Sequence, residues 1–298
     1  MTETSTAPFS HLAASAQALI ADALDSYTRL PPDCPPQLAE AIRYSLLAPG
    51  KRLRPLLVLM AAEACGGNCE AALPAACAVE MVHAYSLIHD DLPCMDDDDM
   101  RRGRPTCHKA FGEALAVLAG DALLTLAFEI LAREVRPARV AADCCLELAR
   151  AAGPAALVGG QADDLDGTSG VTDVARLESI HRRKTGAMIQ VSIRLGAMIA
   201  RGSRRQRSAL EKYSQAVGLA FQIVDDLLDV GGDEKALGKR AGKDAERGKL
   251  TFPGLLGVDE SRGRAEQLIS EALAALKSLG PQAEGLEALA RAVLERNH

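Results

Sequence analysis

Two aspartate clusters dominate the chemistry this chain can offer: DDLPCMD, with Asp90, Asp91 and Asp96, and DDLLD, with Asp225, Asp226 and Asp229. Each is embedded in an otherwise apolar, helix-like stretch, YSLIHDD and FQIVDDLLDV. A carboxylate beside buried apolar positions is costly to ionise unless a cation accompanies it. Clustered carboxylate oxygens are hard donors of the kind that take Mg²⁺, an ion held through one or two carboxylates plus substrate phosphates. Two clusters so far apart in sequence therefore predict two walls of one metal–phosphate site.

Spacing refines this. Asp225 and Asp229 are four apart and share a helix face, while Asp226 turns away by about 100° and is placed to support them. Asp90 and Asp96 are six apart, which an unbroken helix would set on different faces. Pro93 lies between them and breaks helical hydrogen bonding, so a bulge or helix end should swing Asp96 back. Asp97, Asp98 and Asp99 read equally well as a solvated acidic run.

Cations flank these clusters. GKRLRP places Lys51, Arg52 and Arg54 in a loop before a helix, enough for several charge-assisted bonds to a diphosphate. His83 lies two turns below Asp90. MRRGRP supplies Arg101, Arg102 and Arg104, and HRRKTGAM supplies Lys184 and Thr185. Gly186 inside that helical pattern costs about 1 kcal/mol against alanine and predicts a kink or a close backbone approach. GGQADDLDG contributes Gln161 and Asp164. LGKRAGKDAERGKLTFP carries Lys239, Arg240, Lys243, Arg247 and Lys249 and reads as a basic loop able to close over phosphate.

The elements that position these groups are helices. Aromatics make up only 3% of the 298 residues and tryptophan is absent, so the core rests on Ala, Leu, Val, Ile and Met. Ala and Leu are strong helix formers. Helical patterns cover 10–30, 38–47, 56–64, 73–91, 111–134, 137–152, 155–164, 174–200, 205–230, 250–256, 263–279 and 283–295, with no convincing alternating strand. An all-α fold follows: a flexible arm over residues 1–9, then one domain over 10–298 around a central cavity. The net charge of −6 gives no reason to expect nucleic acid. No uninterrupted apolar run of spanning length is evident, so membrane insertion is not expected and a cytoplasmic location is. The eight cysteines are scattered, and none forms a zinc-type set, so they read as reduced, packed thiols.

Taken in order, GKRLRP, VHAYSLIHDDLPCMDDDDMRRGRPTCH, AGDALL, GGQADDLD, HRRKTGAM, FQIVDDLLDV and LGK…GKLTFP resemble the trans-polyprenyl diphosphate synthases over nearly the whole chain, most closely the bacterial farnesyl type. The resemblance implies an isoprenoid synthase fold, a homodimer, and Mg²⁺-dependent head-to-tail condensation of isopentenyl diphosphate with dimethylallyl or geranyl diphosphate. Three Mg²⁺ ions with allylic substrate bound are implied, Mn²⁺ being able to substitute. Asp90, Asp91, Asp96, Asp225 and Asp229 would hold metal, with Asp226 completing the second motif. Arg101, Lys184, Lys239 and Lys249 would bind the allylic diphosphate, with Gln161 also on the substrate side. Lys51, Arg54, His83 and Arg102 would hold isopentenyl diphosphate, and the oxygens of Thr185 and Gln222 would face the allylic cation. Tyr85, about 7.5 Å along the helix from Asp90, and Ser86 would floor the product cavity. The chain departs from the commoner pattern at Phe252, where tyrosine is usual, and in a short loop around Thr168–Thr172. Neither departure is expected to touch a ligand-binding residue.

The alternatives are a geranylgeranyl or longer-chain synthase, differing in the floor, and a class I terpene cyclase, which needs no isopentenyl site. A non-enzymatic alternative is the regulatory subunit of a prenyltransferase heteromer.

Overall fold

A computed structural model describes residues 6–165, 173–231 and 250–295. Fourteen α-helices occur among them: α1 (Thr6–Tyr27), α2 (Pro36–Leu46), α3 (Leu53–Ala64), α4 (Cys69–Asp90), α5 (Cys107–Phe111), α6 (Glu113–Glu134), α7 (Ala138–Ala152), α8 (Leu157–Leu165), α9 (Val174–His181), α10 (Ala187–Ile199), α11 (Arg204–Gly231), α12 (Phe252–Leu256), α13 (Val258–Leu276) and α14 (Glu284–Glu295). The expected all-α architecture is what the chain adopts. The strands among the described residues form a two-stranded hairpin, β1 (Met100–Arg101) with β2 (Arg104–Pro105), in register Met100 to Pro105. α1 already begins at Thr6, inside the stretch read as an arm.

Helix α4 is central because it is apolar on every side, with Ala75, Ala76, Cys77, Val79, Met81 and Val82 all fully buried. Asn68 caps its start by accepting from the Glu70 N–H at 2.8 Å, which satisfies one of the donors that a helix N-terminus leaves unpaired. Helices α3, α6 and α10 pack around it. One apolar cluster runs from Ala13 on α1 to Val293 on α14.

The expectation that no apolar run reaches spanning length needs correcting. α4 and α6, each 22 residues, are long and apolar enough by that measure. Burial separates them: 72% of the apolar window of α4 lies inside the fold, but only 39% of that of α6. α6 thus presents a second apolar face, with Val117 and Leu118 exposed.

Within this core sits one charged pair. Arg52, in the left-handed conformation (φ 50°), donates to Glu80 Oε1 at 2.6 Å and to the carbonyls of Leu46 and Ala48 at 2.8 Å each. Arg52 was expected to serve a diphosphate together with Lys51 and Arg54. The structure gives it a different task, locking the α2–α3 turn onto α4, since Glu80 is 2% exposed and needs its counter-charge. Glu80→Gln should destabilise the protein by about 3 kcal/mol, because it strands Arg52; a lowered urea midpoint with unchanged slope checks it.

Candidate active site

The first aspartate motif ends α4. Asp90 is its last residue, and the chain then folds back: the Asp96 N–H donates to Asp90 O at 2.8 Å, and Asp97 and Asp98 N–H donate to Leu92 O and Asp91 O. The helix end placed at Pro93 by the sequence is there, and it returns Asp96 to Asp90. Asp91 is 3% exposed. Its carboxylate takes Arg101 Nε at 2.7 and 2.9 Å and Arg101 Nη2 at 2.6 Å. Arg101 also lies 3.7 Å from buried Asp98. The hairpin β1–β2 is what delivers this arginine, and sequence periodicity gave no sign of it because each strand is only two residues long. Asp98 is therefore part of the site's internal charge balance, while Asp97 and Asp99 are exposed. Asp97, Asp99 and one His108 nitrogen lie within 4.8 Å of one another, but Lys109 already pairs with Asp99 at 2.8 Å.

Burial raises Asp90 to about 6; Lys184 opposes the rise, Asp96 and Asp91 add to it, and Arg101 also opposes it. Burial likewise pushes Asp91 up, against the pull of Arg101. These carboxylates are held where ionisation is costly without added positive charge. Their all-oxygen donor set, with that of Asp225 and Asp229, fits a hard divalent cation such as Mg²⁺.

Lys184 comes from a π-helical turn, Arg182–Gly186, between α9 and α10. The kink expected at Gly186 takes this form, a widened turn of a kind frequent at functional sites. α8 approaches so closely that a Cβ on Gly160 would lie 2.6 Å from the Lys184 backbone nitrogen. Lys184 Nζ reaches Asp164 Oδ2 at 2.7 Å. Burial pulls the ammonium pKa down, but Asp164, Asp90 and Asp96 together raise it, so it stays charged. Arg183 pairs with Asp163 one residue along. Thr185 and Gln222 are half-buried, and Gln161 is 9% exposed with both amide atoms lacking a hydrogen-bond partner. A buried amide without partners is a group waiting for a ligand or water.

A second cationic group lies behind. Arg54 Nε is buried without a hydrogen-bond partner. Burial lowers the Arg54 guanidinium, with Glu80 opposing, Arg102 adding and Asp225 opposing. Burial, then Arg54, Arg102, Arg101 and Arg52, hold His83 well below the ordinary histidine range, so it is neutral at pH 7. Arg102 adopts φ 52°, and a Cβ on Gly50 would stand 2.7 Å from its Nη1; the glycine is what lets the guanidinium lie against the GKRLRP loop. Lys51 is exposed, and its carbonyl accepts from Gln17 Nε2 at 2.9 Å. Desolvated cations left short of anions favour an incoming anion such as diphosphate.

The second motif lies on α11. Asp226 and Asp229 are 7% and 5% exposed, and Asp225 is half-buried. Asp225 acts on Arg54, Arg54 and Arg101 both act on His83, and Arg101 holds Asp91. The two motifs thus share one electrostatic neighbourhood. Asp226 Oδ2 accepts the Phe252 N–H at 2.9 Å and lies 3.8 Å from His181 Nε2. The view that Phe252 touches no site residue is therefore corrected: its backbone anchors Asp226, and its ring stacks on His181 at 5.6 Å. Only the tertiary contact between α9, α11 and α12 reveals this. Lys239, Lys249 and the whole of the 168–172 loop lie outside the described residues.

Tyr85 is 7% exposed and makes an edge contact with His89 at 5.8 Å; Ser86 Oγ donates to His83 O at 2.9 Å. A cavity of about 340 Å³ between α7, α10 and α11 includes none of these residues, and Arg194 already pairs there with Glu147 and Glu211.

Residues 35–284 match the Polyprenyl synthetase family. The chain is 49% identical to a farnesyl diphosphate synthase of Escherichia coli K12 over 267 residues, covering 87% of this chain and 89% of that protein. It is 51% identical to chloroplastic geranylgeranyl pyrophosphate synthase 7 of Arabidopsis thaliana over 258 residues, covering 84% of this chain and 73% of that one. An FPP/GFPP synthase structure from Zymomonas mobilis superposes with a TM-score of 0.87 at 39% identity, covering 97% of this chain and 99% of the other.

Proposed function

The chain belongs to the polyprenyl synthetase family and is a trans-prenyl diphosphate synthase; we propose that it makes farnesyl diphosphate, from isopentenyl diphosphate and dimethylallyl or geranyl diphosphate, with Mg²⁺. The observation that carries the reading is one buried neighbourhood holding paired carboxylates, charged Lys184, and cations at Arg54 and Arg102. Asp90, Asp91, Asp96, Asp225 and Asp229 would hold the metal, three ions when the allylic substrate is bound, with Mn²⁺ an acceptable substitute. Bound there, it would supply positive charge to the departing diphosphate.

Lys184 and Arg101 bind that same diphosphate and stabilise the charge it gains as the allylic C–O bond breaks. A unit charge pair at 4 Å is worth about 4 kcal/mol at an effective dielectric near 20, so a few such groups are a large part of the barrier reduction. Arg54, Arg102 and neutral His83 hold isopentenyl diphosphate so that its double bond meets the allylic carbon. The oxygens of Thr185 and Gln222 face the cation. Diphosphate, once released, removes the proton from the condensation product.

For C15 rather than C20, the support is Tyr85, a buried ring one and a half turns below Asp90. A homodimer in the cytoplasm completes the reading; the second apolar face of α6 supports the dimer. The experiment is incubation of purified protein with radiolabelled isopentenyl diphosphate, each allylic primer and Mg²⁺, with chromatography of dephosphorylated products. Farnesol is the expected product. A C20 or longer alcohol would make it a longer-chain synthase, and no turnover without another chain would make it a regulatory subunit. Tyr85→Ala should shift the product beyond C15; unchanged C15 output would remove Tyr85 as the floor.

A further inference from the structure

The AGDALL segment carries no catalytic role in this scheme, yet its glycine is closely constrained. Gly120 is buried on the face of α6 that packs against α4. A Cβ there would lie 2.1 Å from His89 Nε2, 2.6 Å from its Cδ2 and 2.8 Å from its Cε1. All three distances are far inside van der Waals contact, so the imidazole lies against the glycine and a larger residue at 120 would have to displace it. Nε2 is 3.0 Å from the Val117 carbonyl oxygen. A carbonyl only accepts, so Nε2 carries the hydrogen and donates it.

His89 is fixed by these two contacts, and it meets Tyr85. The two residues are four apart on α4, one above the other on one face. Their ring centroids are 5.8 Å apart at an interplanar angle of 77°. The Tyr85 ring therefore leans on a ring that is itself seated against α6. The order of support runs from Gly120, through His89, to Tyr85.

We propose that Gly120 and His89 are specificity-determining residues that set product length by holding the Tyr85 ring across the path of the growing prenyl chain. This rests on the reading of Tyr85 as the floor. It makes two changes act in opposite directions. His89→Ala removes the support and opens a space beside Tyr85, so the ring can fall away and longer chains pass. Gly120→Ala drives the imidazole off α6 toward the one ring it touches, which crowds the path. Neither residue is among those expected to hold diphosphate or metal.

The test compares product distributions of full-length wild type, Tyr85→Ala, His89→Ala, Gly120→Ala and the His89→Ala/Gly120→Ala double variant, with thermal melting of each. His89→Ala should raise the ratio of C20 to C15 product at least tenfold. Its rate of geranyl diphosphate formation from the C5 primer should stay within about threefold of wild type. Gly120→Ala should accumulate C10 product. The double variant should match His89→Ala, since a methyl at position 120 fits the space the imidazole vacates. Lengthening by Tyr85→Ala with a wild-type distribution from His89→Ala would overturn the proposal and leave the floor standing. Unchanged C15 output from Tyr85→Ala would overturn the floor and this proposal with it. If Gly120→Ala fails to fold, His89→Ala alone decides, and a double variant that differs from His89→Ala removes Gly120 from the mechanism.

Discussion

Asp90→Asn should abolish turnover, by a factor of at least about 10³, while making the metal-free protein more stable. The first effect is the loss of a charged oxygen from the expected metal set, where several kcal/mol of leaving-group stabilisation is at stake. The second follows from the environment. Burial holds the Asp90 carboxyl at about 6 in the fold, against 3.8 for a free aspartate. A carboxyl raised in this way binds its proton more tightly in the folded state. Its ionisation therefore costs stability above pH 6, and the cost is relieved as pH falls through 6 toward 4. Two units correspond to roughly 3 kcal/mol at most, and partial exposure reduces this to about 2 kcal/mol. For a chain of this size that is a rise in Tm of roughly 4 °C at pH 7. The gap between variant and wild type should narrow by about half at pH 5 and close near pH 4. Excess Mg²⁺ should narrow it as well, by stabilising the wild type more than the variant. Protons and metal compete for the same carboxylate, so the Mg²⁺ concentration needed for half-maximal activity should rise as pH drops through 6. A variant less stable than wild type at pH 7 without metal would show that Asp90 is held by compensation the structure does not contain.

The parts of this site legible in the sequence are those whose signal is local. The aspartate motifs declare themselves as charges in apolar helices, Pro93 predicts the fold-back that joins Asp96 to Asp90, and Gly186 predicts a break in helical regularity that proves to be a π turn. Helix positions followed from periodicity, but starts did not. α3 begins at Leu53, earlier than the apolar pattern suggests, because its first turn carries Arg54 and Pro55. α13 begins at Val258 because Gly257 (φ 85°) turns the chain without cost, and its polar first turn masks the period. What stayed hidden needed partners far along the chain. Glu80 is one charge in an apolar helix, and only its ion pair with Arg52 explains it. His181, Phe252 and Asp226 are brought together by three different helices. Gly120 looks like an ordinary weak point in a helix until His89 is found lying on it.

Arg101→Met separates two tasks that the resemblance and the geometry assign to one side chain. The resemblance gives Arg101 to the allylic diphosphate; the structure shows its Nε and Nη2 engaged with Asp91. Both hold if Arg101 neutralises Asp91 while no metal is present and turns to the diphosphate when metal takes over that carboxylate. Removing the guanidinium then leaves Asp91, 3% exposed, with its nearest cation gone, and stranding one member of a buried ion pair costs about 3–5 kcal/mol. Arg101→Met should therefore lower the metal-free urea midpoint substantially. Saturating Mg²⁺ should restore most of that loss, yet activity should remain at least a hundredfold down, because the diphosphate has lost a donor. Arg101→Lys should recover much of the stability and less of the activity, since an ammonium cannot reproduce the fork that spans both Asp91 oxygens. Full recovery of activity by Mg²⁺ in Arg101→Met would reduce this arginine to a structural counter-ion. No stability recovery at any Mg²⁺ concentration would show instead that Asp91 does not take metal, and would remove one ligand from the proposed site.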